Sequence, residues 1–319
     1  MTGALGPQGH FTTAKVDWLG LHPRSAQLVA AWAETGRGGA DGSFGKGQLN
    51  CYAGVQVPGY PGAPGYPVTI TRNRPWPMLD YWWTTYGGDP GGYPDWQNFP
   101  TQVGWDEYLL VAQEAGPTWE VIGVDRGPGG WWAALWGRRR AAGGAIWDAN
   151  YTPHMTGGIP AGVCAAKWPL TPLIARADEV AAGHIDHPLH LAGGMGVTHG
   201  GDPQKGEGFI WPARFHDTGR TVNPDGIQYG AWFRLKADHP LPVERGAQII
   251  AQALKTHGCI LGDGSGQATS GLCVDPRIGQ ATFDALRSIP ITAFEAVDTE
   301  PLRLRPSAGV KDADYWACR

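Results

Sequence analysis

No stretch of this chain approaches the roughly 18 consecutive apolar residues of a membrane-spanning helix. The opening residues, Met1 to Gln8, have neither the basic nor the apolar region of a secretory leader. The expectation is a protein made in the cytoplasm without a signal peptide and without membrane insertion. Charge is scarce as well: 17% of residues carry one, and the net charge is −4. That gives no general attraction to a phosphate backbone, and the one basic cluster, Arg138-Arg139-Arg140, is too short to act as a groove, so nucleic acid is not an expected partner. The 5 cysteines, at positions 51, 164, 259, 273 and 318, are scattered and form no CxxC pair, which fits reduced packing residues better than a disulfide framework or a zinc site. A Gly-x-Ser-x-Gly elbow, a phosphate-cradling loop and a dinucleotide fingerprint are all missing. Serine hydrolases of that type, kinases and dehydrogenases lose their support, and no cofactor is expected.

Glycine and proline are what the chain has in excess, with 49 Gly and 27 Pro in 319 residues. Both are poor helix formers, which argues against a helix bundle. Trp, normally the rarest aromatic residue, is the commonest here at 16, against 10 Tyr and 8 Phe. Residues 1–45 read as a Gly-rich arm with one short helical run, in which Ala26, Leu28, Val29, Ala30 and Trp32 share a face. Residues 46–104 form a segment rich in Gly, Pro and aromatics, its Pro-Gly repeats marking turns or extended polyproline-like chain. From 105 to 300 the pattern is β. Short apolar or alternating runs at 108–113, 119–125, 131–136, 208–213, 229–235 and 259–261 are separated by turn residues, as in a sandwich or barrel. A single helix stands apart at 244–258, where Ala247, Ile250, Ala251 and Leu254 fall at i, i+3, i+4 and i+7, with Glu244 at the start and Lys255, His257 and Gly258 at the end. Residues 301–319 read as a tail. The expected fold class is therefore all-β, a sandwich carrying one packed α-helix behind an extended Gly/Pro-rich N-terminal region.

Three groups of residues carry candidate chemistry. The first is the aromatic stretch containing Trp82, Trp83 and Trp96, set among Gly, Pro and Asp with few aliphatic partners. Sugars lay their C–H faces on such rings while nearby carboxylates and amides take the hydroxyls. The same rings would equally staple a loop-rich region or fill a subunit interface. The second is His184-Ile-Asp-His-Pro-Leu-His190. Read as a strand, it puts His184, Asp186 and His190 on one face and Ile185, His187, Leu189 and Leu191 on the other, more apolar one. His187 is thus an unusual residue on a buried face, either a satisfied core histidine or, beside a carboxylate, an acid or base. Pro188 marks an edge or bulge that spoils a ligand face, so no metal is expected. The third group is the carboxylates a glycosidase would need as a pair, drawn from Asp106, Glu120, Asp178, Glu179, Asp186, Asp217 and Asp263. The segment Arg214-Phe-His-Asp217 opens a loop after the Trp-Pro-Ala run, at a rim where sites tend to sit. His216, Asp217 and Asp263 are accordingly the catalytic candidates, with Arg214 as a binding residue, although an Asp before Gly such as Asp263 is also an ordinary turn residue.

The order of motifs from 106 to 264 adds a resemblance. Asp106-Glu-Tyr-Leu-Leu-Val-Ala is followed by Trp119-Glu-Val, Gly129-Gly-Trp-Trp, and Leu173 through the Ala-Gly-His-Ile-Asp-His-Pro-Leu run to Leu189. Trp211-Pro-Ala-Arg, Ile227-Gln-Tyr-Gly-Ala-Trp-Phe-Arg-Leu, the helix and Leu261-Gly-Asp-Gly264 complete the series. This series resembles a family of secreted actinobacterial proteins and of tail proteins from phages that infect those bacteria. The resemblance covers about half of the chain, and its specificity lies in the shared order. It implies a jelly-roll-like β-sandwich of the sort used for carbohydrate, placed in a glycan-active protein or in a virion tail. With no leader, the tail is the favoured setting. The implied partners are other phage tail proteins, in a symmetric oligomer, and host cell-wall polysaccharide. The implied role is a minor tail protein contacting envelope glycan; the alternatives are a glycoside hydrolase of the same fold and a purely structural tail-tip subunit.

Overall fold

The structure is a computed structural model that describes residues 4–6, 10–34, 47–49, 51–52, 55–57, 60–63, 68–71, 108–113, 118–122, 143–147, 155–156, 159–160, 162–194, 197–219, 221–265 and 270–303. Trp82, Trp83, Trp96, the run at 131–136, Asp106 and Cys318 lie outside them.

The described part is mostly β, with few helices. In chain order the strands are β1 (Cys51–Tyr52), β2 (Val55–Val57), β3 (Tyr60–Ala63), β4 (Val68–Thr71), β5 (Leu109–Gln113), β6 (Thr118–Ile122), β7 (Gly143–Trp147), β8 (Met155–Thr156), β9 (Ile159–Pro160), β10 (Leu189–Gly194), β11 (Trp232–Leu235), β12 (Cys259–Ser265), β13 (Gly271–Cys273) and β14 (Phe294–Ala296). The helices are α1 (Ser25–Ala33), α2 (Ala177–Ala182), α3 (Arg245–Thr256), α4 (Gln280–Leu286) and α5 (Glu300–Arg303). A mixed six-stranded sheet, in the order β1-β13-β10-β12-β11-β14, holds the main core. Its centre is the parallel pair β10 and β12, aligned from Leu189 opposite Cys259, with β11 antiparallel to β12 on the other side. Trp232, Phe233, Cys259, Ile260 and Leu261 are all buried, so these central strands are covered on both faces. A second sheet, β4-β5-β6-β7, contributes Leu110 of β5 to a cluster shared with Ala192 of β10 and Cys273 of β13.

α3 is the helix that the apolar spacing predicts. Ala247, Ile250, Ala251 and Leu254 are buried, and the Glu244 carboxylate caps its start by accepting the Ala247 N–H at 2.7 Å. It packs against β11 and α4. The short helical run expected in the N-terminal residues is α1, with Leu28, Val29 and Trp32 buried but Ala26 and Ala30 exposed, and the expectation of a single packed helix needs correction, because α1, α2, α4 and α5 accompany α3. α2 and α4 are too short to display a long apolar stripe; α2 is instead marked by Asp178 and Glu179 in its first turn and by Gly183 in the left-handed conformation at its end. The N-terminal residues, read from the sequence as an arm, send Phe11, Val16, Leu19, Leu28, Val29 and Trp32 into the main core. The Trp32 ring lies 4.8 Å from that of Phe233 and 4.9 Å from that of Phe294, and its indole N–H donates to Ser270 Oγ at 2.7 Å.

Two further expectations change. Residues 208–213 form no strand: Phe209 makes an isolated bridge to Tyr229, and the chain then turns through Trp211-Pro212. The run 184–190 is a loop that becomes strand only at Leu189. Ile185, His187, Leu189 and Leu191 are buried while His184 and Asp186 are exposed, but His190 is buried too. The reason is that β10 is internal to the sheet, and the Trp168 indole N–H meets His190 Nδ1 at 3.2 Å. Cys51, Cys164, Cys259 and Cys273 are buried thiols that form no disulfide among the described residues. Among the described residues no helix is long and apolar enough to cross a membrane.

Candidate functional site

A group of ionisable side chains with access to the surface forms at the C-terminal end of β12, where the parallel pair β10 and β12 runs out. Open sheets present their ligand crevices beyond the carboxyl ends of parallel strands. A β-bulge sets this one up. Leu191 pairs with Leu261 and Ala192 with Asp263, leaving Gly262 as the extra residue. Bulges of this kind re-aim side chains beside functional sites. A Cβ on Gly262 would overlap the Trp168 ring, so only glycine lets that indole lie against the strand.

The turn at 162–168 is stitched onto this bulge. Ala166 N–H donates to Gly262 O at 2.8 Å, and Arg214 N–H donates to Ala166 O at 3.0 Å. Lys167 at its apex has φ of 59°, the left-handed region that a side chain rarely adopts. A Cβ on Gly162 would come within 2.9 Å of the Lys167 Cα, so the tight approach depends on that glycine. Strain of this kind persists where the surroundings enforce it and clusters at ligand clamps and active sites. Here it turns the Lys167 ammonium inward, 3% exposed, to donate to Gly162 O at 3.1 Å and to lie 6.0 Å from the centre of the Phe215 ring.

Asp217 and Asp263, from different segments, act on this ammonium through their charge. Burial pulls the Lys167 pKa down, and Cys164, Asp263 and Asp217 act against that fall. The buried Tyr229 hydroxyl donates to Asp217 Oδ1 at 2.8 Å, and its pKa is held well above the ordinary phenol value by burial and then by Asp217 and Asp263. Tyr229 is therefore a hydrogen-bond donor at neutral pH, not a base. Tyr108 donates to Val163 O at 3.2 Å and stands 3.4 Å from Asp263 Oδ2, while Asp263 Oδ1 accepts the Gly264 N–H at 3.0 Å. Asp217 is exposed and Asp263 half-buried, so the carboxylates form the outer layer and Lys167 with Tyr229 the inner one. His216 is buried beside them, its ring edge-on to Tyr229 at 6.0 Å and its Nδ1 2.9 Å from Thr218 Oγ1. Burial lowers its pKa, with Asp217 opposing.

The structure thus gathers Asp217, Asp263, His216 and, through its backbone, Arg214. It places His187 elsewhere. His187 is fully buried, with Nε2 3.1 Å from Glu179 Oε2 and Nδ1 2.8 Å from Pro188 O. Arg176 joins that cluster, its Nη2 2.9 Å from Glu179 Oε1 and its Nε donating to Asp178 Oδ1 at 3.2 Å. Glu120 is also fully buried; its two oxygens accept from Thr171 N–H at 2.6 Å and Trp147 Nε1–H at 2.9 Å, yet burial pushes its carboxyl up to about 7. Asp186 lies in the exposed loop before β10. Lys167, Tyr229 and Tyr108 were missed by sequence reasoning. The available signal was Lys167 itself, a lone cation inside the apolar stretch 163–170. Among the described residues no group of His, Cys, Asp and Glu is placed to hold a metal ion.

The fold and site define a mostly-β protein with a mixed central sheet and a carboxylate-lysine-tyrosine centre at the end of its parallel strands. No protein-family model, curated protein or solved structure matches the chain.

Proposed function

We propose that this chain is a minor tail protein of a phage infecting actinobacteria, and that the Lys167 centre binds hydroxyl-rich glycan of the host envelope. The observation that carries the reading is the pair of carboxylates fixed by buried phenols beside Lys167, with Tyr229 donating to Asp217 Oδ1 at 2.8 Å and Tyr108 3.4 Å from Asp263 Oδ2. Carboxylates held by an inner layer of donors keep outward lone pairs for sugar hydroxyls, and fixing them beforehand reduces the entropy lost on binding. Two segments that carry the family resemblance supply Tyr229 and Asp263, which supports the same assignment. The cluster joining Leu110 to Ala192 and Cys273 supports a face-to-face packing of the two sheets, and hence the jelly-roll-like sandwich. In the tail the protein assembles with other tail proteins as a symmetric oligomer.

A second reading is hydrolysis of that glycan, favoured by the arrival of two carboxylates from separate segments, as retaining and inverting glycosidases require. Cosedimentation with arabinogalactan-type polysaccharide, with new reducing ends counted in parallel, separates the two. The expected result is binding without new ends, weakened about tenfold in Asp217→Asn and Asp263→Asn at unchanged melting temperature. Undiminished binding in both variants rejects the site. Reducing ends that vanish in the variants transfer it to the hydrolase reading.

A further inference from the structure

A groove of about 380 Å³ lies along one edge of α3, walled on the other side by the loop 183–186. That volume falls within the range of small-ligand sites. The groove sits at the start of the parallel pair, near Leu189 and Cys259, whereas Asp263 sits at its end. The two sites are roughly 13 Å apart along β12, from a rise of about 3.3 Å per residue.

Arg245, Gln248, Gln252 and Thr256 follow one another along the groove edge of α3. Arg245 Nη1 donates to Gln248 Oε1 at 3.4 Å and Gln252 Nε2 to Thr256 Oγ1 at 3.3 Å, so the row is ordered at the helix surface. The buried residues Ile185, Ile249 and Ala253 form an apolar floor. Lys15 closes the far end, because the N–H groups of Val16 and Asp17 bond to Thr256 O. Both Lys15 and Arg245 are exposed, and neither pairs with a carboxylate among the described residues. At about 1.5 Å per residue, Arg245 and Thr256, the residue beside which Lys15 is tied, lie roughly 16 Å apart along the helix. The opposite wall offers His184 and Asp186, 3.5 Å apart.

We infer that this groove binds an acidic oligosaccharide, a short uronate chain whose carboxylates meet Arg245 and Lys15. The hydroxyls between them are taken by the Gln248 and Gln252 amides and by Asp186, and the C–H faces of the sugars rest on the floor of Ile185 and Ile249. A single phosphate or sulfate would need donors converging on one point, and here the cations stand a helix length apart. An acidic peptide would draw its affinity from a row of free backbone groups, as at a sheet edge, and a helix wall has spent those groups internally. The inference is independent of the reading of the Lys167 centre.

Titration calorimetry of the full chain with trigalacturonate, maltotriose and triglutamate tests it. Trigalacturonate is expected to bind, more weakly as salt rises, with maltotriose at least about tenfold weaker. Arg245→Gln and Lys15→Gln are each expected to reduce trigalacturonate affinity about tenfold at unchanged melting temperature, since both side chains are exposed. Absence of trigalacturonate binding, equal affinity for maltotriose, tighter binding of triglutamate, or variants that bind like the parent each overturns the inference.

Discussion

His187 has no exposed surface, and both of its ring nitrogens face acceptor oxygens, one on Glu179 and one on Pro188. Glu179 in turn spans two partners, meeting His187 through Oε2 and the Arg176 guanidinium through Oε1. The cluster ties the first turn of α2 to the entry of β10. Its ion pairs need not stabilise the fold relative to apolar residues, but removing one member strands the others in the interior. His187→Leu is expected to lower unfolding free energy by about 3 kcal/mol, measured as a shift in urea midpoint. A change below about 0.5 kcal/mol would mean that the cluster relaxes by admitting water. Sequence reasoning put His187 on a buried face and left open whether it was a core histidine or a working acid-base group. Packing around it resolves the burial, since Ile185 and Leu189 on either side also point inward.

At the scale of elements, the bulge in β12 and the turn at 162–168 act as one unit. The bulge turns Asp263 toward Tyr108, and the missing side chain at Gly262 admits the Trp168 ring that anchors the turn presenting Lys167. A methyl group at 262 must displace either the indole or the strand. Gly262→Ala is therefore expected to cost about 1 to 3 kcal/mol, the usual range for overpacking, and to abolish glycan binding even where the protein remains folded. Melting temperature together with cosedimentation reads both effects. A stable variant that binds normally would show that Asp263 is positioned without the bulge. α3 depends on neither, since its cap and apolar stripe are local.

For the whole molecule, buried titratable groups set how stability follows pH. Burial lowers His10 and His190 from 6.5 to about 3, so the native state keeps them neutral. Their contribution is present above pH 6.5 and is lost as the medium becomes more acid, because the unfolded chain then takes up protons that the folded chain refuses. Glu120 works in the opposite direction. Its carboxyl rises from 4.5 to about 7, so its contribution is complete below pH 4.5 and is lost as pH climbs to 7, a difference of about 3 kcal/mol. Two histidines outweigh one glutamate between pH 4.5 and 6.5. Melting temperature is expected to climb from pH 4.5 to a maximum near 6.5, and Glu120→Gln, which cannot ionise, to steepen that climb. Calorimetric melting across this range checks both, and a profile unchanged by Glu120→Gln would refute the assignment to Glu120.

The sequence by itself determined what depends on neighbours in the chain. The stripe of Ala247, Ile250 and Leu254 with its Glu244 cap specifies α3, short apolar runs specify β5, β6, β11 and β12, and alternation from Ile185 to Leu191 marks which side chains turn inward. Asp217 and Asp263 were legible as candidates because each sits beside turn residues at the end of an apolar run. Only the tertiary structure decided that Tyr229 holds the one and Tyr108 stands beside the other. It also placed β1 beside β13, set β10 parallel to β12, buried His190, and drew the N-terminal residues into the core. The physical reason is range. Helical and strand periodicity reflect the chain's own geometry over a few residues, whereas strand pairing and the meeting of charges are fixed by burial and hydrogen bonding between distant segments, which leave no trace in any one window of sequence.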